Sequence, residues 1–471
     1  MAEESRIQNS KLNILFGFAN SFITTILGFV TRSVFIYTLG VNYLGLNGLY
    51  TNILSLLSLA ELGIGSAITF SLYKPIAEHD NKKIKALMQL YKSAYQKIGI
   101  IILVVGLSLV PFLKYLVNFQ QNVDINYQLI YVLFLADSVI SYLFFAYRSV
   151  IVYANQKGYV LTKYETTFSI IRSVVQFLVL IIFKNYYMYL IIPIMISILK
   201  NLLISIKAGK MFPVINEKGK EELDKEEKDS IFKNIYSLAL FKISSVVYTS
   251  TDNIIISAVV GVLWVGRLSN YTLICDSVTS VLCQITAAIT GSLGNFFATE
   301  DKHAGYALFK KVEFLNFWLY GFSFIALVTL LDPFVQIWAG ERFVLGLPIS
   351  IAIAINFFVA GYMNTLWVFR STIGLFKQGK FRPILVAILN IILSIFLGKL
   401  WGVFGVLFAT FLSRAAISLW YDPLILHRYG FEVSCKPFFA CYFRRVLLLA
   451  TILIVMLTIR YVVLSSATTV L

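Results

Sequence analysis

Long apolar stretches separated by short polar ones make up most of the chain. An α-helix needs about 20 mostly apolar residues to cross the hydrocarbon core of a bilayer. The stretches that meet this requirement lie near residues 13–39, 44–73, 96–118, 127–150, 160–183, 186–208, 232–260, 265–297, 313–338, 344–374, 382–399, 401–424 and 443–465. This pattern predicts an all-α integral membrane fold with about 12–14 transmembrane helices.

Basic residues are concentrated in every second connection between these stretches. The basic connections lie around residues 74–97, 157–163, 207–233, 302–311, 377–382 and 428–445, whereas the connections between them hold almost no Lys or Arg. Because cytoplasmic loops of membrane proteins carry the excess of Lys and Arg, the alternation predicts a multi-pass protein whose N-terminus is cytoplasmic.

Composition supports a membrane protein and excludes other classes. Charged residues make up 14% and hydrophobic residues 58% of the chain, whereas soluble domains carry about 25% charged residues. The net charge of +16 follows from the basic loops, so no nucleic-acid partner is expected. The four cysteines form no C-x-x-C pair and the three histidines show no metal-ligand spacing, so neither a metal site nor a cofactor is expected.

An internal repeat divides the chain. Residues 40–69 and 261–290 align without a gap and share ten of thirty positions, including Gly45/Gly266 and Tyr50/Tyr271. Six predicted helices separate the two copies, and an even number keeps their orientation. The repeat therefore predicts two parallel six-helix lobes around a central cavity, an architecture typical of transporters. The predicted segments are an N-lobe at 1–208, a cytoplasmic linker at 209–231, a C-lobe at 232–425 and an additional C-terminal transmembrane segment at 426–471.

Ionisable residues inside the predicted helices are candidate functional residues, because charge in a membrane interior usually faces a polar cavity or a partner. The candidates for binding an anionic, diphosphate-bearing substrate are Arg32, Lys242, Arg172, Arg148 and Arg370. The candidate counter-charges or ion-coupling residues, for H+ or Na+, are Glu61, Asp252, Asp137 and Asp276. Two alternatives stay open. In one, the charges form ion pairs that lock helices together. In the other, Arg148 and Arg370 do not line a cavity but extend from inner helix ends towards the membrane surface.

Three segments carry a family resemblance. RSVFIYTLGVNYLGLNGLY (32–50), LAELGIGSAITFSLYKPIAEHD (59–80) and STDNIIISAVVGVLWVGRLSNY (250–271) resemble Wzx-type polysaccharide repeat-unit flippases. These belong to the multidrug/oligosaccharidyl-lipid/polysaccharide (MOP) exporter superfamily. The resemblance implies a MATE-like pair of lobes, alternating access, a bacterial cytoplasmic membrane and a cationic cavity that would include Arg32 and Lys242. It also implies an undecaprenyl-diphosphate-linked oligosaccharide as substrate.

The leading functional hypothesis is therefore a flippase rather than an enzyme. It would move lipid-linked repeat units to the outer leaflet for capsule, exopolysaccharide or O-antigen synthesis. Its partners would be the lipid-linked oligosaccharide, membrane lipids, and the polymerase and assembly proteins of such a pathway. A cation-coupled drug antiporter of the same fold is the first alternative. A polysaccharide polymerase or membrane glycosyltransferase is the second, although the chain shows no large extramembrane domain and no clustered carboxylate site.

Overall fold

Helices account for all regular structure in the described part of the chain. The computed structural model describes the following residues: 2–61, 64–119, 125–217, 219, 221, 223–224, 227, 231, 250–299, 302–375 and 381–469. Within them no β-strand is present, which confirms the predicted all-α class. The chain forms two compact units, Met1–Gly266 and Arg267–Leu471.

The first unit, called unit 1 below, is built from helices of very different lengths. They are α1 (Ala2–Thr38), α2 (Val41–Leu57), α3 (Ile64–Ala77), α4 (Asn81–Leu109), α5 (Tyr127–Leu143), α6 (Ser149–Ala154), α7 (Gly158–Ile182), α8 (Tyr186–Met211) and the helical residues 250–259, called α9. Asp80, Asn126 and Asn185 each accept a hydrogen bond from a backbone N–H of the first helical turn, at 3.0–3.1 Å. These caps explain where α4, α5 and α8 begin.

The second unit, unit 2, contains most of a long helix, α10, and four further α-helices. Helix α10 (Val262–Thr299) begins in the last residues of unit 1. The others are α11 (Lys302–Ala339), α12 (Leu347–Ile373), α13 (Arg382–Ile425) and α14 (Lys436–Thr469). Helix α13 is bent at Gly402, where φ is 60° and ψ is −137°. This bend separates the two predicted stretches 382–399 and 401–424, which confirms that they are two helical segments.

Several helices have the length and composition of membrane spans. In the described residues eight helices qualify, or nine when the bent pair Tyr127–Leu143 and Ala146–Ala154 is taken as one span. That pair bends by 44°. One of the eight, Arg382–Phe431, has 50 residues, about 75 Å of helix at 1.5 Å per residue, so the bend at Gly402 leaves room for two crossings. The protein is thus an integral membrane protein with multiple helical spans.

The predicted second helix, 44–73, is interrupted in its middle. Helix α2 ends at Leu57, a 3₁₀ turn follows from Ser58 to Glu61, and α3 begins at Ile64. The glycines at 63 and 65 mark this interruption in the sequence. A polar side chain, Glu61, is therefore carried on a break between two helical segments instead of on a regular helix.

Gly45 and Gly266, which are equivalent positions of the internal repeat, each contact the helix that carries the other. A Cβ atom added at Gly45 would collide with the carbonyl oxygen of Val262, and one added at Gly266 would lie 2.5 Å from the carbonyl oxygen of Val41. Val41 and Val262 are themselves equivalent positions of the repeat, so the contact is reciprocal. Such close approach of two helix backbones requires residues without a side chain.

The segment that follows α8 is attached to unit 1. The predicted cytoplasmic linker 209–231 contains Leu223 and Ile231, which lie in the same buried cluster as Leu87 and Ile151. Lys83 also forms an ion pair with Glu227. Leu223 and Ile231 therefore add to the core of unit 1. The predicted lobe boundary within it stays a prediction.

Two buried ionic networks hold the helices of unit 2 together. Arg370 in α12 and Arg382 in α13 both form ion pairs with Asp422. The Glu313 carboxylate in α11 accepts hydrogen bonds from the Tyr362 hydroxyl at 3.0 Å and from the Arg445 guanidinium at 2.7 Å. Because Arg445 lies in α14, the second network attaches the C-terminal helix to the rest of the unit.

Candidate functional site

An aromatic cluster lies where α1 ends and α8 begins. The rings of Tyr186 and Tyr189 stack with centroids 6.0 Å apart, and Phe35 packs edge-on against both, at 5.6 and 5.2 Å. Tyr43 contacts Tyr186 at 4.7 Å. Tyr186 and Tyr189 are three residues apart on one helix, which places both rings on the same face.

Two of the predicted substrate-binding arginines lie beside this cluster. Arg32 lies one helical turn before Phe35 on α1, and Arg172 lies one turn before Gln176 on α7. The side-chain amide of Gln176 donates to the Tyr189 carbonyl oxygen at 3.2 Å. Arg32 is half-buried and Arg172 is exposed. We call Arg32, Arg172, Tyr186 and Tyr189 the arginine–tyrosine cluster. It combines two cations with hydroxyl donors, the set of groups that binds phosphate oxygens.

A second polar cluster surrounds Glu61 at the break between α2 and α3. The carboxylate accepts hydrogen bonds from the hydroxyls of Tyr95 in α4, at 3.0 Å, and Tyr142 in α5, at 3.4 Å. The ring of Tyr91 lies 4.5 Å from that of Tyr95, and the ring of Tyr142 lies 5.5 Å from it. We call Glu61 and these three tyrosines the glutamate–tyrosine cluster.

The other predicted site residues of unit 1 are Arg148, Asp137, Asp252 and Lys242. Arg148 donates to the Asn216 side chain at 3.0 Å. The Ser197 hydroxyl donates to Asp137 at 3.2 Å. Asp252 lies in α9 and is half-buried. Lys242 lies outside the described residues. The roles assigned to these residues from the sequence stay predictions.

The two remaining predicted site residues belong to unit 2. Asp276 is exposed on α10. Arg370 is only 2% exposed and forms the ion pair with Asp422 described above, with a further hydrogen bond to the carbonyl oxygen of Leu375 at 3.1 Å. This arrangement resembles the helix-locking ion pairs that the sequence left open as an alternative, and a role of Arg370 in substrate binding stays a prediction.

Sequence reasoning did not identify the tyrosines of either cluster. Tyrosine is frequent in this chain, with 27 residues, and it is common at membrane interfaces whatever its function. The only local signal is the spacing of Tyr186 and Tyr189 just after a helix cap. Within the described residues, no group of three or more His, Cys, Asp and Glu side chains is arranged to hold a metal ion.

Solved structures with the same fold are transport proteins. The lipid II flippase MurJ, in an inward closed conformation, matches with a TM-score of 0.66 and 17% identity over 94% of this chain and 93% of that chain. An inward-facing multidrug resistance MATE family transporter of the MOP superfamily matches with a TM-score of 0.63 and 10% identity, over 88% and 99% of the chains. The Vibrio cholerae MATE transporter VcmN, solved as a mutant, matches with a TM-score of 0.58 and 14% identity, over 91% and 99%.

These likenesses define the class of fold. The protein has the MATE-like helical fold of MOP superfamily transporters and flippases, as predicted from the sequence. No protein-family model and no curated protein matches the chain. The identities are low enough that the fold alone is carried over, and the cargo has to be argued from the chain's own residues.

Proposed function

We propose that this protein is a Wzx-type flippase that moves undecaprenyl-diphosphate-linked oligosaccharide repeat units from the cytoplasmic to the outer leaflet. The observation that carries the proposal is the position of Arg32 and Arg172 beside Tyr186 and Tyr189, each one helical turn from a residue that contacts these tyrosines. A diphosphate is the most highly charged part of such a lipid, and arginine binds its oxygens through paired, charge-assisted hydrogen bonds.

The physical task of a flippase explains why these groups belong in a membrane protein. The polyprenyl tail stays in the hydrocarbon throughout, whereas the diphosphate and sugars cannot cross it unaided, because burying unpaired charge in an apolar medium is very costly. Fixed cations inside the protein replace the water that the diphosphate loses. The fold likeness to a lipid II flippase over 94% of this chain supports a lipid-linked cargo.

Several features of the proposed mechanism come from the sequence. The N-terminus is cytoplasmic, the membrane is the bacterial cytoplasmic membrane, and the lobes 1–208 and 232–425 alternate access to the two sides. Coupling to H+ or Na+ through one of the predicted acids would supply the direction of transport. Polysaccharide polymerase and assembly proteins would act on the flipped lipid for capsule, exopolysaccharide or O-antigen synthesis.

A drug antiporter is the second candidate, and the glutamate–tyrosine cluster favours it. A carboxylate bordered by aromatic rings attracts organic cations through charge and through the electron-rich ring faces. The MATE structures with the same fold, one of them of a multidrug resistance MATE family transporter, support this candidate. The two candidates differ in the charge of the cargo, so they make opposite predictions for the arginines.

Reconstituted liposomes test the proposal. Purified protein is incorporated with a fluorescent polyprenyl-diphosphate oligosaccharide, and label reaching the opposite leaflet is quenched or enzymatically modified from outside. We expect Arg32→Gln and Arg172→Gln each to slow translocation by about tenfold or more, the effect of losing one charge-assisted hydrogen bond. Arg342→Gln is the matched control, because Arg342 is exposed, packs over the Phe343 ring at 5.1 Å, and belongs to unit 2, whereas both clusters belong to unit 1.

Two results would end the flippase proposal. One is wild-type protein that never exposes the labelled lipid on the opposite leaflet, with or without an ion gradient. The other is transport of an organic cation that Arg32→Gln leaves unchanged or accelerates, because a cationic cargo gains from the loss of a positive charge.

A further inference from the structure

The Glu61 carboxylate is held by hydroxyl groups from two different helices. Tyr95 comes from α4 and Tyr142 from α5, and each donates to a different carboxylate oxygen. Glu61 itself lies on the 3₁₀ turn between α2 and α3. Hydrogen bonds to a charged acceptor are about twice as strong as those between neutral groups, so these contacts attach the break to both neighbouring helices.

The surroundings of the carboxylate are aromatic and partly open. Tyr91 and Tyr142 are buried, at 4% and 8% exposure, whereas Glu61 and Tyr95 are half-buried. Gly65 allows this arrangement, since an added Cβ there would lie 2.9 Å from the Tyr91 hydroxyl and 3.7 Å from the nearer Glu61 oxygen. The cluster therefore presents a carboxylate beside ring faces with some access from outside.

The chemistry of this cluster matches a sugar. A pyranose offers neighbouring hydroxyls that donate to a carboxylate and an apolar C–H face that packs on an aromatic ring. Because the described partners of Glu61 are hydroxyl donors, a sugar hydroxyl can replace a tyrosine hydroxyl with a bond of the same kind. An organic cation would instead share unit 1 with Arg32 and Arg172, whose charges oppose it.

We propose that the glutamate–tyrosine cluster is a sugar-recognition subsite, in which hydroxyls of the cargo take over the hydrogen bonds that Tyr95 and Tyr142 make to Glu61. The exchange also releases the break between α2 and α3 from α4 and α5, so the sugar itself would loosen this part of unit 1. The proposal rests on the proposed function, since it assigns the sugar part of the same lipid-linked cargo.

The experiment compares two ligands that differ only in the sugar. The dissociation constant is measured in detergent for a short-chain polyprenyl diphosphate with and without its oligosaccharide. The dissociation constant of the sugar-free lipid divided by that of the glycosylated lipid, called the ratio below, isolates the sugar contribution. For the wild type we expect the glycosylated lipid to bind about threefold to tenfold more tightly, because a sugar hydroxyl replaces the long 3.4 Å contact of Tyr142 and the sugar face packs on the aromatic rings. In Glu61→Gln, which keeps the shape but removes the charge, the ratio should fall towards one.

Tyr131→Phe is the matched control. Its hydroxyl lies on α5, as Tyr142 does, and donates to the carbonyl oxygen of Gly106 in α4 at 3.0 Å. The variant therefore loses one tyrosine hydrogen bond, between α4 and α5, without touching Glu61, and its ratio should equal that of the wild type. If Glu61→Gln does not fold, Tyr142→Phe replaces it, with an expected rise in the ratio, because a competing donor has been removed.

The possible outcomes separate the two proposals. An unchanged ratio in Glu61→Gln, or a ratio of one in the wild type, overturns the sugar subsite while leaving flipping itself intact. Binding of tetraphenylphosphonium that Glu61→Gln abolishes also overturns it, in favour of an organic-cation site. A sugar-dependent ratio that requires Glu61, in a protein that never translocates the lipid, supports the subsite and refutes the flippase function.

Discussion

Alanine at Gly45 or Gly266 would force apart the reciprocal helix crossing of unit 1. At Gly45 the added Cβ meets the carbonyl oxygen of Val262, and at Gly266 it meets the carbonyl oxygen of Val41 and, at 3.0 Å, the backbone nitrogen of Gly45. These are backbone atoms, which cannot rotate away as a side-chain end can. The helices must therefore separate to admit either methyl group.

The magnitude follows from the cost of overpacking. Inserting a methyl group into a well-packed interior costs about 1–3 kcal/mol, and each single variant should lose about that much free energy of unfolding. Once one methyl group has separated the helices, the second methyl group fits into the space between them without further displacement. We therefore expect the double variant to lose about as much as the worse single one, which is a coupling free energy of about 1–3 kcal/mol between the two sites.

Unfolding of detergent-solubilised protein, followed by tryptophan fluorescence, would measure this coupling. Gly17→Ala serves as the control, because an added Cβ at this position in α1 has nothing within 4 Å. There alanine should stabilise the helix by about 0.5–1 kcal/mol, since glycine loses more conformational freedom on folding. Losses that simply add in the Gly45→Ala/Gly266→Ala double variant would refute the idea that one shared separation accommodates both methyl groups.

Three further predictions concern unit 2. Arg445→Ala should destabilise the unit by about 3–5 kcal/mol, because it leaves Glu313 buried without its cation. In a thermal scan, the Glu313→Gln/Arg445→Met double variant should regain most of the stability that Arg445→Ala loses. Tyr271→Phe should cost about 1.5–3 kcal/mol in the same scan, since the Tyr271 hydroxyl donates to the buried Asp332 carboxylate at 2.5 Å; an unchanged melting temperature would argue against this bond. Gly402→Ala should cost about 1–3 kcal/mol through its positive φ, and a stabilising effect would show that the bend in α13 is not required.

The fold was predictable because membrane insertion imposes a simple pattern. Long apolar stretches, alternating basic loops and the bend near Gly402 can all be seen in the sequence, since each follows from the thickness and polarity of a bilayer. The repeat also identified Gly45 and Gly266 as equivalent positions. It did not predict that they contact each other, because equivalence in a repeat carries no information about distance.

The candidate site was less predictable, because its contacts join distant parts of the chain. Arg32 was identified as a membrane charge, but its proximity to Tyr186 and Tyr189 depends on how α1 packs beside α7 and α8. Arg445 was counted among the basic loop residues, whereas its partner Glu313 lies 132 residues earlier. Charge type and depth can be estimated from sequence, but the choice of partner is decided by tertiary packing.

The attachment of α14 changes how the C-terminus of this chain should be treated. Besides the Arg445 contact, Leu449 packs close to Gly321 and Arg460 donates to the carbonyl oxygen of Thr329 at 3.1 Å. A truncation before Lys436 would therefore leave a carboxylate and a backbone carbonyl of α11 facing hydrocarbon without these cations. Helix α14 supplies the cations that pair with the Glu313 carboxylate and the Thr329 carbonyl oxygen of α11. Shortened versions for expression or crystallisation should therefore end beyond Arg460.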